Sequence, residues 1–304
     1  MTVSSAPIDT GQLFRSVRAA RSWLRARAPG EETSTSGCVM MKPGNDEPPV
    51  FMIPGASGSI LQLAPIAATM TAPMPVYAIR PRGLAEGETP CEHLEAMAEH
   101  AIGVMRAMHR QGPYLLAGYS AGGLVALEMA RQLAAAGLDV PLVVLLDTYP
   151  SREVWPLSCH VEILARQAAK ALWALRQLTL RQAVADIGRR IRSLFLYLTA
   201  SGIKLVTPPP LVAEGTDAAS RRVHLATFNA GEAYRPSPYS GKVVFLQPEV
   251  LPNLEPREPR RVWGRFLTKL VIRQVPGTHL AMVDTGAVAI AAEISRCLAE
   301  PRTA

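Results

Sequence analysis

The chain has 304 residues, 48% hydrophobic and 19% charged, which is enough apolar side chain for one large buried core and too much for a disordered chain. Its formal net charge of +7 comes from basic residues dispersed among apolar positions, without an aromatic-basic sheet motif or a zinc module, which argues against nucleic-acid binding. The cysteines Cys38, Cys91, Cys159 and Cys297 show neither metal-ligand spacing nor a disulfide framework, and no signal peptide or apolar run of about 18 residues is evident, so free thiols in the cytoplasm are expected.

In chain order, residues 1 to about 30 hold a helix-like stretch in which Leu13, Phe14, Val17, Ala20 and Leu24 share a face ringed by Arg15, Arg18, Arg21, Arg25 and Arg27. The pattern fits a helix packed on the body of the protein; contact with a membrane surface or an acidic partner is the alternative. Glu31 to Asn45 is rich in Thr, Ser and Gly and reads as a linker. Residues 1–45 are thus expected to be a basic extension and linker, ahead of one domain over 46–304.

From Pro48 to Pro150 strand-like and helix-like stretches alternate, the pattern of a mostly parallel sheet flanked by helices. The apolar run Val50 to Ile53 opens into the small-residue loop Pro54-Gly55-Ala56-Ser57-Gly58, where backbone N–H groups can approach a ligand. A second run, Tyr114 to Ala117, feeds through Gly118-Tyr119-Ser120-Ala121-Gly122-Gly123 into the helix-prone Leu124 to Ala136. A serine between glycines at a strand-to-helix turn is a nucleophile elbow, with the hydroxyl exposed above the strand ends and no room for side chains at Gly118 and Gly122. Ala56 and Ala121 are the expected backbone N–H donors of an oxyanion hole, each such donor worth about 10²–10³ in rate.

Pro141 to Leu146 reads as a buried parallel strand that ends on Asp147, an acid on the same rim as Ser120. Glu249, just past the strand-like Val243 to Gln247, is the competing acid. Between them, residues 151–216 break the alternation. Helices are expected over about His160 to Leu178 and Leu180 to Leu198, and Pro208-Pro209-Pro210 must end the second. In this position an insertion reads as a lid whose apolar face, including Leu194 and Phe195, lines an acyl channel. A helix over Arg221 to Tyr234 returns the chain to the sheet. His279 follows the strand-like Leu270 to Val275 in the turn Pro276-Gly277-Thr278, ahead of a helix-like run from Gly286 to Leu298. Its rivals His93, His100, His109, His160 and His224 are not on turns directly after strands. The order Ser, Asp, His accompanies a nucleophile elbow.

These residues resemble the thioesterase domains of polyketide, non-ribosomal peptide and fatty acid synthases over about residues 48 to 300. The resemblance lies in Phe51-Met52-Ile53-Pro54-Gly55-Ala56, in Val76 to Leu84 with its Arg80-Pro81-Arg82-Gly83, in the elbow, in Leu146-Asp147-Thr148-Tyr149-Pro150, in Tyr234-Arg235-Pro236 and in Val275-Pro276-Gly277-Thr278-His279. It implies an α/β-hydrolase fold with the acid at Asp147 rather than Glu249, and an acyl-enzyme formed on Ser120 from a carrier-protein or CoA thioester. The implied partner is an acyl or peptidyl carrier protein, which brings the phosphopantetheine, so no cofactor or metal of the chain's own is implied. Two departures stand beside this: no carrier-protein serine motif precedes the hydrolase region, and the stretch from Asp147 to His279 is longer than stand-alone editing members usually have. A carboxylesterase or lipase would use the same three residues on an oxygen ester; a non-catalytic hydrolase-fold binding protein is disfavoured because all three are present.

Overall fold

The computed structural model describes residues 37–175, 216–251 and 255–300. Seven strands form one sheet in the order β1-β3-β2-β4-β5-β6-β7. They are β1 (Cys38–Lys42), β2 (Val50–Ile53), β3 (Val76–Ile79), β4 (Leu115–Tyr119), β5 (Leu142–Leu146), β6 (Tyr239–Val250) and β7 (Leu267–Thr278). All neighbours pair in parallel except β1 with β3. The α-helices are α1 (Ala64–Thr69), α2 (Leu94–Met108), α3 (Ala121–Ala135), α4 (Leu157–Leu175), α5 (Ala218–Ala233), the single turn α6 (Arg260–Trp263) and α7 (Ala287–Ala299). The expected mostly parallel sheet with flanking helices is therefore present, and it is an α/β-hydrolase fold.

The central strands are apolar throughout because both sheet faces are covered. Phe51, Leu116, Val143, Leu145, Val243 and Phe245 point into a core shared with α2 and α3. Their neighbours in sequence, among them Met52, Leu115, Ala117, Val144, Val244 and Leu246, point the other way, against α1 and α7. Each fully buried side chain of this kind contributes about 1.5–3 kcal/mol, and the three-layer packing fixes the level at which the strands end.

The linker reading fails at Cys38–Lys42, which is the antiparallel edge strand β1, with Cys38 and Met41 buried. The short run Cys38-Val39-Met40-Met41 was obscured by its polar surroundings. Lys42 donates from Nζ to the carbonyls of Ala72 (2.5 Å) and Met74 (3.3 Å). Helix α5 begins three residues before its expected start because Asp217 caps it, accepting from the Ser220 N–H at 2.9 Å.

The expected helix over Leu180 to Leu198, the substrate-facing Leu194 and Phe195, the Pro208–Pro210 stop and the basic stretch of residues 1–30 all lie outside the described residues. What is described of the insertion starts docked: Trp155, Cys159 and Ile163 pack on Val262 of α6, and Arg261 Nη1 meets Glu162 Oε2 at 2.5 Å. Leu157, Val161, Leu164 and Leu172 of α4 are exposed.

Candidate active site

Strand β4 delivers the chain to Ser120 in a conformation a non-glycine residue rarely adopts, φ 54° and ψ −126°. The turn is held from both sides. The Ser120 N–H donates to the Leu146 carbonyl at 2.9 Å, and the Ser120 carbonyl accepts from Gly123 N–H and Thr148 Oγ1, each at 3.0 Å. A Cβ on Gly118 would lie 2.3 Å from the Gly122 carbonyl oxygen, and one on Gly122 would lie 2.1 Å from that of Pro54, so neither position admits a side chain. The close approach brings the loop after β2 against the elbow.

Strand β5 ends in a second strained residue, Asp147, at φ 45°, whose N–H donates to the Leu246 carbonyl at 3.0 Å. Its side chain is fully buried, and Oδ2 lies 2.7 Å from His279 Nδ1. With the ring proton on Nδ1, Asp147 accepts it and His279 keeps a lone pair on Nε2. The imidazole is also stacked on Tyr119, ring centres 4.9 Å apart and planes 25° from parallel, and the Tyr119 hydroxyl donates to the His279 carbonyl at 3.0 Å. Burial first, and the charge of Asp147 second, push the Tyr119 phenol up, so it stays a neutral donor.

Ser120, Ala121, Asp147 and His279 line one open cleft of about 270 Å³ with Tyr149, Arg152, Trp155, Phe228, Glu232 and Glu255. Ala121 is the first residue of α3, so its N–H has no carbonyl a turn earlier in the helix to meet. Ala56 is not in the cleft wall; it belongs to the turn closed by Gly58 N–H on the Gly55 carbonyl at 2.9 Å, directly beside the elbow. Glu249, the competing acid, is exposed and lies in a groove against α4 with Arg166 and Lys170. None of the five rival histidines lines the cleft. Among the described residues no group of three or more His, Cys, Asp or Glu is placed to hold a metal.

Several residues in and behind the site escaped the sequence. Tyr119 is the variable position of the elbow motif, and only the tertiary fold brings β7 over it. Thr148, next to the acid, bonds back to the elbow. Glu255 comes from beyond β6, and burial, with the nearby charge of Asp147, pushes its carboxyl well above the ordinary range, against the opposing influence of Arg152 and Arg166.

A thioesterase-domain family model matches residues 48–187, a span that contains both Ser120 and Asp147. Residues 48–187 are thus similar to thioesterase domains. The chain is 40% identical over 34% of its length to 11% of the nonribosomal peptide synthetase atqA of Aspergillus terreus. It is 25% identical over 83% of its length to 10% of a dimodular nonribosomal peptide synthase of Bacillus subtilis. The chain thus spans about a tenth of the length of these relatives. Among solved structures, the NocB thioesterase domain in covalent complex with a fluorophosphonate nocardicin G analogue is 22% identical, with TM-score 0.55 over 84% of this chain and 96% of that one. The type II thioesterase BorB from the borrelidin biosynthetic cluster is 21% identical, with TM-score 0.56 over 87% of this chain and 98% of its own. At these identities the structures show a shared fold.

Proposed function

We propose that this protein is a thioesterase that releases an acyl, polyketide or peptide chain from the phosphopantetheine thioester of a carrier protein, by way of an acyl group held on Ser120. The observation that carries the reading is the 2.7 Å contact of His279 Nδ1 with Asp147 Oδ2 in the wall of the cleft where the strained Ser120 sits. In this reading Nε2 takes the Ser120 proton as Oγ attacks the thioester carbon, and Asp147 stabilises the imidazolium that forms. The negative oxygen of the tetrahedral intermediate meets the N–H groups of Ala121 and Ala56. Collapse breaks the C–S bond, and the proton on His279 passes to the departing thiolate. Water, or a hydroxyl or amine of the acyl chain itself, then attacks the acyl-serine, giving hydrolysis or cyclisation with the same groups.

The similarity to nonribosomal peptide synthetases supports a carrier-borne substrate, and the net charge of +7 suits an acidic carrier domain by steering its approach. The test is intact-protein mass spectrometry after incubation with a panel of acyl thioesters and matched oxo-esters. The expected result is an acyl adduct on Ser120 formed faster from the thioester; adducts on another residue, or equal rates from both esters, would overturn the reading.

A further inference from the structure

We infer that Tyr119, which lies behind the cleft and is not part of its wall, is a positioning residue that aims His279 Nε2 at Ser120. The inference rests on the acyl-Ser120 reading and adds to it the group that holds the base in place.

His279 has far to come. In the strand order β4, β5, β6, β7 the last strand is three positions from the one that carries Ser120, about 14 Å at the usual spacing of neighbouring strands. The turn after Thr278 must therefore bring His279 back over β6 and β5. The 2.7 Å contact with Asp147 fixes the Nδ1 corner of the ring. A single hydrogen bond tolerates a range of angles, so the ring can still tilt about that contact, and Nε2 moves with it.

Tyr119 supplies the missing constraints from the centre of the sheet. Side chains alternate along β4, so Tyr119 points to the same face as Leu115 and Ala117, into the core shared with α1 and α7, where it is 4% exposed. Its hydroxyl donates to the His279 carbonyl at 3.0 Å, which anchors the backbone end of the histidine. Its ring lies 4.9 Å from the imidazole with the planes 25° apart, which sets the tilt. The tyrosine is itself held. A Cβ on Gly55 would lie 3.1 Å from Tyr119 Cδ1, so the loop after β2 rests against one edge of the ring. On the backbone, Tyr119 pairs with Leu146, the residue before Asp147. The loop, the acid's strand and the histidine thus meet at one buried residue that is the nucleophile's neighbour in sequence. A misplacement of about 1 Å in a group that must meet a reacting atom costs about 10²-fold in rate, so loss of this ring should be felt in the chemical step and not in binding.

The test is labelling of Ser120 by methyl octylfluorophosphonate, in which Oγ bonds to phosphorus, fluoride leaves and His279 takes the serine proton. Peptide mass spectrometry gives the limiting rate, kinact, and the half-saturating concentration, KI. Tyr119→Leu should lower kinact about 10²-fold with KI within about twofold, and Tyr119→Phe, which keeps the stack and loses the hydroxyl's bond, should lower it about three- to tenfold. In a His279→Ala background the same two substitutions should change the residual labelling less than about twofold, because a residue that acts through His279 then has nothing to position. Unchanged kinact in Tyr119→Leu, a rise in KI in place of the fall in kinact, or equal losses with and without His279 would each overturn the inference. Should Tyr119→Leu fail to fold by circular dichroism, Tyr119→Phe decides by the same comparison. Labelling of His279→Ala as fast as the unaltered protein would instead sink the acyl-Ser120 reading.

Discussion

Glu128, on the buried side of α3, and Glu255, on the wall of the cleft, are two inward-facing carboxylates with opposite surroundings. Glu128 accepts from Arg131 Nε (2.8 Å) and Nη2 (2.5 Å), from Gln132 Nε2 (2.9 Å) and from the Tyr234 hydroxyl (2.8 Å). Burial alone would raise its pKa, but these donors more than offset it and hold Glu128 below the ordinary range. Glu255 Oε2 has no partner, and Asp147 Oδ1 and the Tyr149 hydroxyl on the same wall are also buried and unpaired. The difference separates two jobs. Behind the elbow, hydrogen bonds lock α3 to α5, whereas in front of it polar groups stay unsatisfied, and burial raises the pKa values of Glu255 and Tyr149.

The largest effects belong to the front. Ser120→Ala should abolish acyl-enzyme formation in mass spectrometry while leaving the thermal midpoint within a few degrees, because the hydroxyl faces the cleft and its loss opens no core cavity. Next comes Asp147→Asn, expected to lower kcat by about 10⁴-fold through loss of the orienting acceptor for Nδ1–H. Glu249→Gln, far from the cleft, should change kcat less than about twofold, and the reverse ranking would move the acid to Glu249.

The back should answer in stability instead. Glu128→Ala leaves Arg131, Gln132 and the buried Tyr234 hydroxyl without their acceptor and is expected to cost about 2–3 kcal/mol in urea unfolding, discounted because Arg131 is partly exposed. Tyr234→Phe removes one bond to the charged group and should cost about 1–2 kcal/mol. If either variant lost catalysis while keeping its stability, the division between front and back would be wrong.

The smallest effects are in pH, and their signs are opposite. Glu128 has a depressed pKa, so its contribution is present above about pH 4.5 and is lost as pH falls through the folded value. Glu255 has a raised pKa, so the folded state holds its proton more tightly than the unfolded chain, and stability falls as pH rises from about 4.5 toward neutrality and beyond. Thermal midpoints measured between pH 4 and 9 should show that decline flattened in Glu255→Gln, with the acid-side loss intact. A flat profile in the unaltered protein would remove the contrast.

Much of this was legible along the chain. The Gly118 to Gly123 run named the elbow because only glycine tolerates backbone oxygens at 2.1–2.3 Å from a Cβ, a constraint that is local and therefore written locally. Tyr234, noticed as part of Tyr234-Arg235-Pro236, owes its place to Glu128, more than a hundred residues earlier, and nothing in the sequence joins the two. The edge strand Cys38–Lys42 was hidden because a five-residue strand at a sheet edge carries too few apolar residues to stand out from a polar neighbourhood.

The sequence by itself determined the parallel core, the strand ends that carry Ser120 and Asp147, and the chain order Ser120, Asp147, His279, since each follows from local apolar runs, glycines and turns. Only the tertiary structure decided which acid meets His279, that Tyr119 stacks on its ring, and that Glu255 shares the cleft. Those contacts join residues distant in sequence, and their geometry is fixed by the lateral order of the strands and the packing of helices on both faces of the sheet, which no local pattern of residue types encodes.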